Sequence, residues 1–192
     1  MDAAGVCGEE FSIFEDPEVW CSFVDVLKAA HDGGWINNDV KARHLLRCDG
    51  ARLIIDWGGA TANGAKAVTY TPGYASTAVL ECVCAGRVIW AEPTHDLEAL
   101  VWSIFALVYP HYRKAVRGLN EAEVLTARQT TYRRFAERWS FAPAFTAARG
   151  GDYEGLREAL AGLLPIALPE AGSDAAAASA EPYAGSDDAA AS

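Results

Sequence analysis

Apolar positions fall into a few periodic runs separated by glycine- and proline-rich breaks. Over Asp16–His31, Val19, Trp20, Phe23, Val24, Val26 and Leu27 recur at helical spacing, with Pro17 in a first-turn position and Gly33-Gly34 just beyond. That pattern predicts an amphipathic helix stopped by the glycines. A polar loop follows at Asn37–His44. Two short apolar runs, Leu45-Leu46 and Arg52–Ile55, flank Asp49-Gly50 and predict a small hairpin. Asp56–Gly73 reads as a turn-rich loop, long for one inside a compact domain, and loops of that kind often carry function. Asp96–Tyr109 predicts a strongly hydrophobic helix. Its apolar run Ala99–Tyr109, broken only by Ser103, is about half of the roughly 20 residues a bilayer span needs, so it belongs to a core. A more polar helix is expected over Asn120–Trp139, and a short closing one over Asp152–Leu164. The fold class that follows is mainly α with a small β-hairpin and no large sheet.

Periodicity ends before the C-terminus. Glu170–Ser192 is built of small and acidic residues, with one tyrosine and no base, and contains the near-repeat Ala171–Ser179 and Ala184–Ser192. It has too little apolar bulk to offset its chain entropy. Residues 169–192 are therefore expected to form a disordered acidic tail, and residues 11–168 the domain. At 192 residues the chain suits one domain better than two. With 51% hydrophobic and 22% charged residues, it is not disordered throughout.

The formal net charge of -10 argues against nucleic acid as a partner and against attachment to an anionic membrane surface. Half of that charge lies in the tail, on Glu170, Asp174, Glu181, Asp187 and Asp188, so the folded part is only mildly acidic. Met1–Glu10 lacks the basic and apolar stretches of a secretory signal. The five cysteines are odd in number and scattered, and Cys82-Val-Cys84 is not a metal spacing. Free thiols in a reducing, intracellular compartment, cytoplasmic or nuclear, are the expectation.

Two aspartates stand out as chemistry. Asp39 lies in the polar loop, and Asp56 directly follows the apolar strand Leu53-Ile54-Ile55. A hairpin between them would bring both carboxylates to one edge, where such a pair can hold a divalent cation or act as a general base. Lys41 would then sit where it can neutralise a phosphate. Aspartates at strand ends and turns are equally common structural choices, so spacing alone leaves both readings open.

The order of motifs resembles the C-terminal lobe of the protein kinase superfamily. Leu27–Lys41, ending Ile36-Asn37-Asn38-Asp39-Val40-Lys41, looks like the end of the kinase helix E entering the catalytic loop, usually H-R-D-x-K-x-x-N. Leu53-Ile54-Ile55-Asp56-Trp57-Gly58 is similar to the strand and D-F-G element. Tyr70–Leu80 looks like the G-T-x-x-Y-x-A-P-E-x-L end of the activation segment, and His95–Trp102 resembles the buried helix F. The style is closest to the divergent kinase-like domains of fungi and fungus-like microbes, some of them attached to crinkler-type effectors. The resemblance covers roughly Phe11 to Leu164 and weakens beyond Tyr109.

Carried over, the resemblance implies that Asp39 is the catalytic aspartate orienting the substrate hydroxyl. Lys41 would steady the transferring phosphate in a Ser/Thr-directed reaction, and Asp56 would chelate Mg2+ bridging the phosphates of ATP. Asp96 would be structural, anchoring the catalytic loop. The departures are specific. Asn37 and Asn38 replace the loop's His and Arg, so regulation through a phosphorylated activation loop is not expected. His44 stands at the second metal-binding position of the cofactor site, where an oxygen donor is usual and an imidazole suits Mg2+ poorly. Ala78 replaces the Glu whose ion pair with a later Arg is customary.

About 15 residues precede the first helix, with no G-x-G-x-x-G, no strand carrying a phosphate-binding Lys and no partner Glu. The resemblance therefore implies a lobe without its N-terminal partner, weakened in ATP binding. Protein kinase-like phosphoryl transfer to a protein substrate is one function that follows. The alternative is an inactive pseudokinase lobe acting as a protein-binding module. A different metal-dependent enzyme using Asp39 and Asp56 has no motif behind it. The surface near Trp35, Ile36 and the hairpin is expected to be apolar and partly exposed, open to a partner that would cover it. His31 reads as a structural histidine, and His95 and His111 as surface or capping residues. Trp20, Phe23, Trp102 and Phe105 read as core. Thr69, Tyr70 and Thr71 read as ordinary loop residues, with phosphorylation in an activation-like loop as the alternative.

Overall fold

The computed structural model describes residues 9–10, 17–48, 51–132 and 141–163. The fold is mainly helical, with two small antiparallel sheets among the described residues. Helix α1 (Pro17–Asp32) buries Val19, Trp20, Phe23, Val24 and Leu27, and leaves Asp25 and Lys28 outside. Lys28 pairs with Asp32 one turn on, at 2.6 Å, and Gly34 then leaves the helix with φ of 82°. That positive φ is what a glycine adopts without penalty.

The chain next enters β2 (Trp35–Ile36), the polar loop, and a single 3₁₀ turn at Ala42–His44. The hairpin forms as expected: β3 (Leu45–Cys48) pairs antiparallel with β4 (Ala51–Ile54), and β1 (Glu9–Glu10) adds a third strand on the other edge of β3. The long loop is not featureless. Its β5 (Thr61–Ala62) pairs with β2, and a bridge links Lys66 to Trp90.

Helix α2 (Thr77–Cys84) was not expected. Ser76 caps it, accepting from the Val79 amide at 3.2 Å. Helix α3 (Pro93–Val108) is the hub. It starts earlier than its apolar pattern suggested because Pro93 opens its first turn. Every residue from Asp96 to Ala106 is buried, which is how a helix apolar all round must sit. Around it lie α4 (Pro110–Ala115), α5 (Glu121–Ala127), α6 (Phe141–Gly150) and α7 (Tyr153–Ala161). Helices α1 and α6 both pack on α3, and α7 fills the space against α1 and α6.

The expected Asn120–Trp139 helix is seen as α5 running into one π turn, Arg128–Tyr132. Its remainder lies outside the described residues, as does the tail expected over 169–192. No helix among the described residues is long and apolar enough to cross a membrane.

One expectation is corrected. Trp35 is 55% exposed, but Ile36 is fully buried, because a strand points successive side chains to opposite faces. Leu45, Leu46 and Ile54 of the hairpin are buried too. Trp20, Phe23, Trp102 and Phe105 are core, and His111 is exposed. His95 is half-buried, not a surface residue. Its Nδ1 has no partner among the described residues, and burial lowers its pKa against the pull of Glu92 and Asp96. Cys82 and Cys84 are free thiols on α2, and the buried Cys21 thiol donates to Arg157 O at 3.3 Å.

Candidate functional site

The polar loop is held from behind by one carboxylate. Asp96, in the first turn of α3 and 1% exposed, accepts from the backbone N–H of Asn37 at 2.6 Å and of Asn38 at 2.8 Å. Its Oδ2 also meets His31 Nε2 at 3.1 Å, and His31 Nδ1 contacts the Tyr153 hydroxyl at 2.8 Å. The chain of contacts runs from α7 through the end of α1 to the loop. His31 is the structural histidine expected, and Tyr153 is a partner that spacing did not point to.

Thus anchored, the loop adopts an unusual backbone. Among the described residues only Asn38 and Asp56 combine a side chain with positive φ, at 69° and 62°. Such residues cost free energy unless the surroundings hold them, and they cluster at functional sites. Asn38 Nδ2 donates to Gly59 O and Thr61 Oγ1, both at 3.0 Å. Asn37 Nδ2 reaches Asp56 O at 3.4 Å. The two left-handed residues are therefore tied to each other's segments.

In front of the loop, Asp39 and Lys41 form an ion pair, with the Lys41 side chain 6% exposed and that of Asp39 18%. Thr71 joins both: its hydroxyl donates to Asp39 Oδ1 at 2.6 Å and accepts from Lys41 Nζ at 3.0 Å. Thr71 is thus part of the cluster, not a free loop hydroxyl. Asp39 Oδ1 and Oδ2 are each engaged, by Thr71 and Lys41.

Asp56 faces the same space from β4's end, with its side chain 54% exposed, and lies 3.3 Å from His44 Nε2. Asp39, His44 and Asp56 each offer a ligand atom, and all three lie within 4.8 Å of one another. The histidine makes the set informative. His44 Nδ1 lies 3.1 Å from the carbonyl of Asp39, which only accepts, so Nδ1 carries the hydrogen. Burial lowers the imidazole pKa, Lys41 adds to that, and the opposing pull of Asp39 and Asp56 does not reverse it. A neutral ring then presents the Nε2 lone pair to the Asp56 carboxylate, acceptor against acceptor. A metal ion seated between them would turn that contact favourable, as would a proton or a water donating to both. Imidazole with carboxylates suits Mn2+, Fe2+, Co2+ or Zn2+, whereas Mg2+ favours an all-oxygen set.

Beyond the cluster, the segment 73–77 is pinned to the helical core. Arg128, 5% exposed, lies 3.9 Å from the centre of the Trp102 ring and donates to Ala75 O at 2.8 Å, Gly73 O at 3.1 Å and the Tyr112 hydroxyl at 3.0 Å. Glu98, buried in α3, takes Arg149 at 2.8 Å and the Thr77 hydroxyl at 2.7 Å. Ala78 is exposed and contributes no charge. An ion pair does stand at this end of the segment, with its carboxylate supplied by α3.

The five residues singled out from sequence are thus brought to one place: Asp39, Lys41, His44 and Asp56 around one small space, and Asp96 behind it. No protein-family model matches the chain, and no curated protein matches it.

Proposed function

We propose that the Asp39–Lys41–Thr71 cluster, with His44 and Asp56 across from it, is a phosphoryl-transfer centre of the protein-kinase kind, directed at a serine or threonine hydroxyl of a protein. The observation that carries this reading is the joint engagement of Asp39 by Lys41 and Thr71, on a loop whose backbone hangs from Asp96. Phosphoryl transfer asks little covalent chemistry of a protein and much positioning of charge. Asp39 is the group placed to take up a hydroxyl proton, and Lys41 fixes its orientation. Lys41 also offers positive charge where a transferring phosphoryl group would need it. ATP and a divalent cation supply the phosphoryl group and the charge that spreads over its oxygens. Asp56 and His44 are the residues that would hold that cation, and their mixed donor set favours Mn2+ over Mg2+.

A second reading is a binding module that performs no transfer. It is favoured by His44 in a metal-facing position and by the engagement of both Asp39 oxygens within the chain. Calorimetry with ATP, with and without Mn2+ or Mg2+, on the wild type and on Asp56→Ala, separates the two. Cation-dependent binding in the micromolar range that Asp56→Ala abolishes supports the transfer centre. No binding at millimolar ATP overturns it in favour of the module.

A further inference from the structure

The geometry points to Asn38 as a positioning residue. Through the carbonyl of Gly59, its side-chain amide holds Asp56 against the Asp39–Lys41–Thr71 cluster, so both halves of the site stand assembled before any ligand arrives. That role rests on the proposed reading of Asp56 as a cation ligand. The two halves come from separate stretches of chain. Asp39 and Lys41 belong to the loop anchored by Asp96, Asp56 follows β4, and Thr71 closes the long loop. The Asp56 side chain is 54% exposed and its backbone sits at φ of 62°, a conformation that contacts elsewhere must select.

Gly59 is where these stretches meet. Asn38 Nδ2 donates to the Gly59 carbonyl and to Thr61 Oγ1, both at 3.0 Å, and the Thr69 hydroxyl donates to the same carbonyl at 3.3 Å. With the amide turned over, the Asn38 oxygen would face the carbonyls of Gly59 and Ile36, so the NH2 group is the one that points there. One path leads from Gly59 back to Asp56 through the turn Trp57–Ala60, closed by the Ala60 N–H on the Trp57 carbonyl at 3.0 Å. A second leads from Thr69 to Thr71, whose hydroxyl donates to Asp39 Oδ1 at 2.6 Å. A third leads through Asn38 to Asp39, its neighbour in the chain. The shared carbonyl needs a glycine, because a Cβ there would lie 3.0 Å from Thr69 Cβ and nearer still to its hydroxyl. Position 38 needs a residue that accepts φ of 69° and carries a short donor, and asparagine combines the two. A neutral amide also adds no positive charge beside the groups that would hold a cation.

The test measures Mn2+ binding by calorimetry with the metal alone, and hydrogen exchange at the Ala60 and Asn63 amides, which donate to Trp57 O and Gly34 O. Four full-length chains are compared: the wild type, Asn38→Gly, Gly59→Ala and Arg149→Ala. Asn38→Gly keeps the left-handed backbone and removes the amide. Gly59→Ala keeps Asn38 but crowds Thr69 and shifts the shared carbonyl. Arg149→Ala loosens the fold away from the site and marks what instability alone does. Asn38→Gly and Gly59→Ala are expected to bind Mn2+ about tenfold more weakly and to exchange both amides about tenfold faster, since the bonds that hold the segment are lost. Arg149→Ala should match the wild type in Mn2+ affinity, and circular dichroism checks that each fold is kept. Wild-type affinity in Asn38→Gly or Gly59→Ala, or an equal loss in Arg149→Ala, overturns the proposal. If the wild type itself binds no Mn2+, the cation reading of Asp56 falls on its own. Exchange then decides the positioning role: faster exchange in Asn38→Gly upholds it, and unchanged exchange overturns it.

Discussion

Replacing Asp96 by asparagine tests the anchoring of the loop most directly. The wild-type carboxylate is buried and accepts two backbone N–H bonds, from Asn37 and Asn38, with the His31 ring against the same oxygen as Asn37. Asparagine keeps the shape but has one acceptor oxygen, and it turns an NH2 toward one of the donors. One buried N–H loses its partner, at about 1–3 kcal/mol, and the surviving bond loses its charge, at about 1 kcal/mol more. The net expectation is a loss of about 2–4 kcal/mol. With a urea m-value of about 2 kcal/mol/M, the unfolding midpoint falls by about 1–2 M at unchanged slope. Asp96→Ala, which leaves both donors bare, should cost about 3–5 kcal/mol. Urea titration followed by tryptophan fluorescence gives the midpoint. Native-state hydrogen exchange at Asn37 and Asn38 then tells a local loss from a global one. A midpoint shift below about 0.5 M, with both amides still protected, would refute the claim that this carboxylate holds the loop.

Two further outcomes follow from single side chains. Arg149→Ala should destabilise the fold by about 1–2 kcal/mol near neutral pH, the value discounted because the Arg149 side chain is 53% exposed. Burial raises the Glu98 pKa, but the bonds from Arg149 and Thr77 outweigh it and leave the group below the ordinary glutamate value. The wild type thus holds this stability above the unfolded value and loses it as pH falls through the depressed folded one. The deficit of the variant should therefore shrink in acid, and a deficit constant from neutral pH into that range in urea titrations would contradict the assignment. His44→Asn should exchange metal preference. Calorimetry with the metal alone is expected to give the wild type about tenfold or greater preference for Mn2+ over Mg2+, and the variant near parity. Wild-type Mn2+ binding should also weaken below pH 6.5 as the His44 ring is protonated at its lowered pKa. Equal preference in both proteins removes His44 from the ligand set.

Elements that carry a one-sided or all-round apolar pattern were legible, and those that do not were missed. Val19, Trp20, Phe23, Val24 and Leu27 mark one face of α1 with little ambiguity, and the turn at Asp49-Gly50 marks the hairpin. Helix α2 reads Thr-Ala-Val-Leu-Glu-Cys-Val-Cys, whose β-branched and sulfur residues have no helical signature until Ser76 caps it. Helix α6 is alanine-rich with little contrast between faces, so only its packing on α3 reveals it. For the site, the residue types and order of Asp39, Lys41, His44, Asp56 and Asp96 could be read from the chain. Thr71 and Tyr153 could not, because their partners lie 32 and 122 residues away and no local pattern records such pairings. The positive φ of Asn38 and Asp56 was hidden for a related reason. Asparagine and aspartate tolerate that conformation without requiring it, and contacts elsewhere select it.

The contact between His31 and Tyr153 also sets an order of events in synthesis. The loop at Asn37–Asp39 emerges early, yet its anchor Asp96 comes 59 residues after Asn37, and the hydroxyl that meets the His31 ring comes 122 residues after that histidine. Contacts of such separation form slowly because the intervening chain must first be closed. A ribosome must therefore make α7 before the early loop has its full set of partners. The segment bearing the candidate chemistry is drawn first and finished last, and a nascent chain that stalls before Tyr153 carries Asp39 on a loop that is incompletely supported.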